Sequence, residues 1–264
     1  MTITIGNDVE FILTKNSIPV SSIGMIGGSK KYPRPCLMGA LQEDNVLAEI
    51  NIQPATTHKE WEVANLTVIG ELKRALPEGV SVSTLASAFY SPEELDSPQA
   101  REFGCDPDIN AWERKQNTFK KLTGEFKRLR SAGGHVHIGI PNLEITEKFE
   151  LIKCMDMFIG LQALILDTDT QRKMLYGKAG AMRIKPYGVE WRVPSNFWIH
   201  DKVSRRWMFT AAMFCAENFR DLSTLYNQEG IAATINANDL NAADKYLSDL
   251  DSKLEFPIHP KVKG

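Results

Sequence analysis

Apolar and polar residues alternate along several segments in the first two-thirds of the chain, and this period of two predicts half-buried β-strands. The segments are residues 2–13, 46–52, 80–90, 133–140 and 182–194. All of them except 80–90 carry ionisable residues within the alternation. Because successive side chains of a strand point to opposite faces of its sheet, these segments are predicted to have one apolar and one polar face.

Other segments have apolar residues at every third or fourth position, which predicts amphipathic helices. These segments are residues 58–76, 146–166, 203–226 and 242–250. Pro77 and Gly79 end the first of them. Residues 21–39 are rich in glycine, proline and serine, and they predict a long loop or short hairpins.

The predicted strands crowd the first two-thirds of the chain, and the last third is helical. Strands and helices do not alternate regularly, as they would in a doubly wound fold or a TIM barrel. The pattern therefore predicts an α+β fold with a curved, mainly antiparallel sheet. The length of 264 residues, without a break in composition, predicts one domain over residues 1–264.

The composition, with 43% hydrophobic and 24% charged residues, is that of a soluble globular protein. A net charge of −2 provides no electrostatic basis for non-specific binding to nucleic acid. Residues 149–166 are apolar but are interrupted by Lys153 and Asp156, so they predict a core helix and no membrane span. Four widely spaced cysteines and the lack of a signal-peptide pattern predict reduced thiols and a cytoplasmic location.

Two of the five histidines, His135 and His137, lie one residue apart in a glycine-flanked strand segment. Their side chains are expected on the same face of the strand. A pair of imidazoles on one wall of a cleft is a candidate site for a divalent metal or a phosphate. The alternative is a pair of buried, hydrogen-bonded core histidines.

Acidic residues interrupt the same predicted strands, and one sheet face could gather them with the histidines. They are Asp8 and Glu10 in the first strand, Glu49 in the second and Glu190 in the last. Carboxylate oxygens with one or two imidazoles suit Mg²⁺ or Mn²⁺, and no cysteine lies near these strands to favour structural zinc. Taken alone, each acid favours an edge-strand or solvent-facing position, and the recurrence across four strands weakens this alternative.

Arg192 is expected on the same face as Glu190, where its guanidinium could clamp a phosphoryl group that the metal also touches. Arg183 and Lys185 could add positive charge to the same anion. The alternative is a structural ion pair around Glu190. No P-loop, Rossmann glycine motif or hydrolase motif occurs in the sequence. The residues therefore favour phosphoryl chemistry that depends on a metal ion and arginine side chains.

Candidate substrate contacts are Asn51, Asn110, Trp112 and the loop 21–39. Asn110 and Trp112 belong to an irregular stretch, residues 103–112, that is rich in Asp and Asn and would line a pocket or form an ordinary surface loop. The basic segment 119–130 could approach an anionic ligand or form a solvated face.

In their order along the chain, these motifs resemble those of a known superfamily. They are Asp8-Val9-Glu10-Phe11, Ala48-Glu49-Ile50-Asn51, Gly133-Gly134-His135-Val136-His137-Ile138-Gly139 and Val189-Glu190-Trp191-Arg192. The set is similar to the metal and nucleotide motifs of the glutamine synthetase and γ-glutamylcysteine ligase superfamily. Within it, the chain most resembles the compact phage carboxylate-amine (COOH-NH2) ligase type 2, or amidoligase, family, from about residue 4 to residue 198.

This resemblance implies a glutamine synthetase-like funnel of curved antiparallel strands, with helices packed outside and the site on the concave face. It implies ATP-dependent amide formation through an acyl phosphate. The implied Mg²⁺ ligands are Glu10, Glu49, His135 and Glu190, with Asp8 completing an acid-x-acid pair. Arg192 and Arg183 would contact the phosphates, and His137 would lie near the nucleotide.

The expected substrates are a small-molecule or peptide carboxylate and an amine, with a modified nucleotide left open as an acceptor. The location would be the host cytoplasm for a phage-encoded chain, and the sequence leaves an oligomer open. Two other functions stay open at this point. One is a metal-dependent hydrolase of amides or phosphoesters, and the other is a non-catalytic binding protein on the same fold.

Overall fold

The computed structural model describes residues 2–101, 108–118, 123–227 and 229–263. Fourteen strands lie in these ranges. In chain order they are β1 (Thr4–Phe11), β2 (Leu13–Lys15), β3 (Ile18–Val20), β4 (Arg34–Cys36), β5 (Gly39–Asp44), β6 (Leu47–Ile52), β7 (Val80–Val82), β8 (Ser87–Phe89), β9 (Ile109–Asn110), β10 (Lys115–Gln116), β11 (Leu129–Ser131), β12 (Gly134–Gly139), β13 (Ala181–Lys185) and β14 (Gly188–Trp191).

Nine of these strands form one sheet, in the order β10-β9-β13-β14-β12-β1-β6-β5-β4. Every neighbouring pair in this sheet is antiparallel. Two small sheets, β3-β2-β7 and β11-β8, complete the described strands. The prediction of an α+β fold with a large antiparallel sheet is confirmed, whereas the funnel stays a prediction.

The described helices follow the predicted distribution along the chain. They are α1 (His58–Ala75), α2 (Pro98–Arg101), α3 (Ile145–Met155), α4 (Leu161–Leu166), α5 (Lys202–Asn218), α6 (Ser223–Tyr226), α7 (Glu229–Ala237), α8 (Leu240–Lys253) and α9 (Pro260–Lys263). A π-helical turn, Asp156–Gly160, joins α3 to α4, so the predicted helix 146–166 is continuous. Among the described helices, none combines the length and apolarity that a membrane crossing requires.

Helix α1 shows how local sequence sets an element. Thr57 accepts a hydrogen bond from the Glu60 backbone N–H, and the Glu60 side chain accepts one from the Thr57 backbone, which forms a capping box. Trp61, Val68 and Leu72 on one face of the helix are buried. The helix ends at Ala75, two residues before Pro77, as the proline predicts.

The main core lies between the helices and the apolar face of the nine-stranded sheet. Helices α1, α3 and α5 contact the central strands β6, β14, β1 and β12. Val9, Ile50, Val136 and Val189, one from each of these strands, belong to this core. The faces of these strands are therefore as predicted, with the polar residues on the side away from the helices.

Several element predictions were wrong in detail. Residues 182–194 form a hairpin of β13 and β14, because Pro186 has no backbone N–H to continue a ladder and Lys185 pairs with Gly188 across the turn. Residues 80–90 contribute two short strands, β7 and β8, to different sheets. Helix α7 was not predicted.

Candidate active site on the polar face of the sheet

The predicted acidic and histidine residues lie on four adjacent strands at the centre of the large sheet, in the order β14, β12, β1 and β6. The register places Asp8 opposite His135 and Glu10 opposite Glu49. On the other side of β12, His137 lies opposite Glu190. Facing residues of antiparallel strands project from the same side of the sheet. The prediction that one sheet face gathers these residues is confirmed, whereas their chemical roles stay predictions.

A cavity of about 520 Å³ opens over this face. Its size is that of a small-molecule site. The predicted residues that line it are Asp8, Glu10, Glu49, Asn51, His135, His137, Arg183, Lys185 and Arg192. Lys30 and Pro33 of the loop 21–39 also line it, so this loop reaches the cavity as the sequence predicted.

Asp8, His137 and Glu190 form a first group whose side-chain donor atoms are close enough to share a metal ion. Asp8 Oδ2 is 3.1 Å from His137 Nε2. The Tyr187 hydroxyl lies 2.7 Å from His137 Nδ1, which fixes the ring from its other side. Burial alone would raise the pKa of Asp8, but the charges of His137 and His135 hold it well below its usual range.

Three cationic side chains surround the Glu190 carboxylate, which is fully buried. Lys185 Nζ lies 2.6 Å from Oε2, Arg183 Nη1 lies 3.5 Å from Oε1, and Arg192 Nη1 contacts Oε1. Burial and Asp8 both raise the pKa of Glu190, but Arg192 and the two histidines outweigh them and lower it to about 2. Glu190 is therefore ionised and already neutralised by protein cations.

A second group consists of Glu10, Asp44 and Glu49, whose oxygens also converge within metal-binding distance of one another. Burial, followed by the charges of Asp8, Glu10 and Asp44, raises the pKa of Glu49 well above its usual range. Burial likewise raises the pKa of Glu10. Among the described side chains, no cation forms a salt bridge with any member of this second group.

The two groups therefore differ in how well they fit a metal ion. Burial raises the pKa values of Glu10 and Glu49, and the charges of His135 and Arg192 only partly offset this rise at Glu10. A divalent cation would supply further compensating charge. Their donor set is all oxygen, which suits Mg²⁺ or Mn²⁺. The second group fits such an ion directly. The first group fits one only when Lys185 and Arg183 release Glu190.

Asp44 was missed by the sequence analysis. It ends β5, which pairs with β6, so that Gln42 faces Glu49 and Asp44 faces Leu47. The signal was present, because Gln42 and Asp44 alternate with Leu41 and Glu43 just before the predicted strand 46–52. The tight β5–β6 turn at Asn45, which has a φ of 58°, brings Asp44 to the same face.

His135 is buried and contacts two charged side chains. Its Nδ1 atom lies 2.9 Å from Asp8 Oδ1 and 3.2 Å from Arg192 Nη1. Gly133 makes room for it, since a Cβ at this position would collide with the imidazole, and the Gly133 N–H donates to Glu10 Oε2 over 2.6 Å. His137 completes the metal-competent group with Asp8 and Glu190, whereas His135 Nδ1 lies 3.8 Å from Glu190 Oε1, and the expected role of His135 as a ligand stays a prediction.

Arg192 is buried and bridges several acids. In addition to Glu190, its Nε atom lies 2.7 Å from Asp108 Oδ1. The structural ion pair that the sequence left open is thus present here. Asp108, which is also buried, was not singled out from the sequence because it lies in an irregular stretch without periodicity.

Asn110 and Trp112, predicted as substrate contacts, are engaged within the protein and do not line the cavity. Asn110 Oδ1 accepts a hydrogen bond from the Trp112 backbone N–H over 2.9 Å. The Trp112 indole N–H donates to buried Asp156 over 2.7 Å. Both side chains therefore make hydrogen bonds within the protein. Of the residues Asn51, Asn110 and Trp112, only Asn51 lines the cavity, where it donates to Glu49 over 3.2 Å.

Parts of two other predicted segments, residues 103–107 and 119–122, lie outside the described residues. Arg130, at the end of the basic segment 119–130, is described and buried. The described cysteines, Cys36, Cys154 and Cys215, are free thiols as expected, and Cys105 lies outside the described residues.

Comparisons with known proteins give one family match. The model of the phage phiEco32-like COOH.NH2 ligase-type 2 family matches residues 115–253, more than half of the chain. The match includes β12, β13 and β14. It also extends into the C-terminal helices, for which the sequence analysis had found no resemblance. No curated protein sequence matches the chain.

Among solved structures, a bifunctional glutathione synthetase from Pasteurella multocida is similar to this chain, with 11% sequence identity and a TM-score of 0.47. The match covers 94% of this chain and 45% of that protein. The chain thus spans less than half the length of that synthetase.

Proposed function

The chain belongs to the phage phiEco32-like COOH.NH2 ligase-type 2 family, and from this membership we propose that it joins a carboxylate to an amine in an ATP- and Mg²⁺-dependent reaction through an acyl phosphate. The proposal includes a place in the glutamine synthetase and γ-glutamylcysteine ligase superfamily, with the polar sheet face as the concave wall of a funnel. Small molecules or peptides are the substrate class.

One observation carries the proposal. A single cavity holds an acidic group with which no described cation forms a salt bridge, formed by Glu10, Asp44 and Glu49, next to a cationic group formed by Arg183, Lys185 and Arg192. Phosphoryl transfer from ATP needs metal ions on the phosphates and positive side chains near the transferred group. The cavity offers positions for both within one volume of about 520 Å³.

Glu10, Asp44 and Glu49 would hold the first Mg²⁺ ion, and Asp8, His137 and Glu190 would hold a second. When bound, such ions supply Lewis-acid neutralisation of phosphate oxygens. Lys185 and Arg183 contact the Glu190 carboxylate in this structure. On nucleotide binding, both side chains would leave this carboxylate and contact phosphate oxygens. Arg192 keeps Asp108 as its partner and presents its guanidinium to the transferred phosphoryl group.

The reaction has two steps. A carboxylate oxygen of the substrate attacks the γ-phosphorus of ATP, forming an O–P bond while the bond to ADP breaks and ADP leaves. A neutral amine then attacks the acyl carbon, forming the C–N bond while the C–O bond to phosphate breaks. Phosphate leaves with this electron pair, and the nitrogen gives up a proton to solvent.

The side chains contribute to both steps without forming covalent bonds. Arg183, Lys185 and Arg192 place positive charge where the phosphoryl oxygens gain negative charge. Asn51 and the loop residue Lys30 line the cavity and would orient the substrates. A buried site excludes water, which would otherwise hydrolyse the acyl phosphate.

The test is ADP release with a panel of carboxylates and amines, each supplied alone and together, in the presence of MgCl2 and ATP. The proposal predicts ADP and phosphate release that requires both substrates and is lost in Asp44→Asn. The matched control is Glu78→Gln, at an exposed acid in the turn after α1. Product formation without nucleotide would instead identify a metal-dependent hydrolase and overturn the proposal.

A further inference from the structure

A second, smaller cavity of about 60 Å³ adjoins the candidate active site. The two cavities share the lining residues Glu10, Asp44, His135 and Arg192, so they meet at the metal-competent acids. The remaining wall carries two further arginines, Arg130 and Arg172, together with Ser131 and Tyr176. A volume of this size holds a few water molecules or one small anionic group.

Arg172 is a buried cation on which the charges of Asp167, Glu10 and Asp169 act from beyond salt-bridge distance. It is 3% exposed, and among the described residues no carboxylate forms a salt bridge with it. Two of its guanidinium nitrogens donate to neutral carbonyl oxygens, Nη1 to Val193 over 2.8 Å and Nη2 to Arg192 over 3.4 Å. Its Nε atom has no hydrogen-bond partner within the described chain. Buried guanidinium groups are normally paired, because removing the charge from water is costly.

The backbone is shaped to admit this side chain. Gly177 has a φ of 80°, a left-handed conformation that glycine adopts without strain. A Cβ at this position would collide with Arg172 Nη1. The loop after α4 therefore keeps the guanidinium in the wall of the cavity.

Ser131 lines the same cavity with an unused hydroxyl group. The residue is buried, and its Oγ atom has no hydrogen-bond partner among the described residues. Buried polar atoms of native proteins are nearly always paired, so this one also points to an absent ligand. Arg130 adds positive charge, while its guanidinium donates to Asn45 Oδ1 and to the Ala100 carbonyl oxygen.

We propose that the small cavity binds a carboxylate group of the carboxylic acid substrate, with Arg172 and Ser131 donating hydrogen bonds to its two oxygens. The proposal rests on the proposed ligase function. Arg172 Nε and Ser131 Oγ provide one donor for each oxygen of a carboxylate, and the guanidinium charge strengthens the hydrogen bond that Arg172 makes. The position beside Glu10 and Asp44 brings the bound carboxylic acid to the edge of the larger cavity, where phosphoryl transfer is proposed.

The test uses propionate as the probe, propionamide as its neutral analogue of similar shape, and inorganic phosphate as the competing anion. Binding to the full chain is followed by ligand-observed NMR and by thermal denaturation at constant ionic strength. We expect saturable binding of propionate and none of propionamide. Ser131→Ala should weaken propionate binding about tenfold, the typical effect of losing a hydrogen bond to a charged group.

Ser131→Ala removes an atom that bonds to nothing described in the protein, so we expect the variant to fold normally. Arg172→Lys keeps the positive charge but loses the planar guanidinium donor. This variant should bind propionate more weakly still. Glu78→Gln is the control and should bind like the wild type. Propionate binding that is unchanged in folded Ser131→Ala would refute the assignment, and so would phosphate binding that is tighter than propionate binding and equally sensitive to both substitutions.

A separate measurement distinguishes failure of this inference from failure of the proposed function. Stabilisation of the wild type by MgCl2 with ATP reports the nucleotide site alone. If this stabilisation is present and propionate does not bind, the carboxylate site is refuted while the ligase proposal stands. If both are absent, the proposed function fails and this inference fails with it.

Discussion

Glu10 in β1 and Glu49 in β6 lie directly opposite each other in the antiparallel register, so two buried carboxylates are cross-strand neighbours. Like charges in this relation repel each other and destabilise the sheet. Burial and the charges of Asp8, Glu10 and Asp44 accordingly raise the pKa of Glu49 well above its usual range. A binding site for a cation explains why a sheet would keep this arrangement.

Replacing Glu49 should therefore have opposite effects on the free and the ligand-bound protein. Glu49→Gln removes the repulsion and should raise the free energy of unfolding by about 1 kcal/mol. The same change should abolish most of the stabilisation by MgCl2 with ATP, because a ligand oxygen is lost. Thermal denaturation with and without MgCl2 and ATP measures both effects, and Glu78→Gln serves as the control. Full Mg²⁺-dependent stabilisation of the variant would exclude Glu49 as a ligand.

Replacing Glu190 should destabilise the free protein, whereas replacing Glu49 should stabilise it. It neutralises Lys185, Arg183 and Arg192, so Glu190→Gln removes the buried carboxylate that these three cations share and should lower the free energy of unfolding by about 3 kcal/mol. Urea denaturation at pH 7 measures the change. The double variant Glu190→Gln with Lys185→Met should recover part of the loss, since one of the unpaired charges is removed. A Glu190→Gln variant as stable as the wild type would show that Glu190 does not stabilise the fold by neutralising these three cations.

Asp156 should make stability depend on pH. It is fully buried behind β14, where Trp191 and Trp112 donate to it over 2.8 and 2.7 Å, yet burial outweighs these bonds and raises its pKa to about 7. An acid with a raised pKa in the folded state binds its proton more tightly there than in the unfolded chain. Its contribution to stability is therefore complete below about pH 4 and is lost as the pH rises to about 7.

Comparison with Asp156→Asn isolates this contribution. The difference in free energy of unfolding between the wild type and the variant should fall steadily between pH 4 and pH 8. Urea denaturation followed by circular dichroism at several pH values measures it. Asp251→Asn, at an exposed position in α8, is the control. A difference that is constant over this range would show that Asp156 does not titrate there.

Arg192 should be sensitive even to a change that keeps its charge. Its guanidinium contacts Glu190 and Asp108 at the same time, and a lysine ammonium cannot reproduce this geometry. Arg192→Lys should lower kcat for ADP release about 100-fold, the usual effect of removing one group that stabilises a transition state. Steady-state kinetics with the substrates found in the panel provide the measurement. Arg74→Lys, on the exposed face of α1, should keep wild-type rates.

Much of the site was predictable because strand alternation is a local property. The period of two placed Asp8 with Glu10, and His135 with His137, on one face without any knowledge of the partner strands. The downstream Pro77 similarly predicted the end of α1. These predictions needed only neighbouring residues in the chain.

The grouping of the acids was not predictable in the same way. Asp44 joins Glu10 and Glu49 through the β5–β6 hairpin, while His137 joins Asp8 and Glu190 in the other metal-competent group. Lys185 and Arg183 reach Glu190 because Pro186 turns the chain into a hairpin. Which side chains meet across strands depends on register, and register is set by turns and by packing of the opposite face.

The sequence by itself therefore determined which side chains face the polar side of the sheet and which chemistry they could offer, since secondary-structure periodicity and side-chain type are local. The tertiary structure decided which acids are neutralised by protein cations and which are left to share a cation. It also decided that Arg172 Nε and Ser131 Oγ, which have no hydrogen-bond partner among the described residues, belong to side chains that line one cavity. Charge compensation depends on distances between residues far apart in the chain, and only the packing of strands and loops sets those distances.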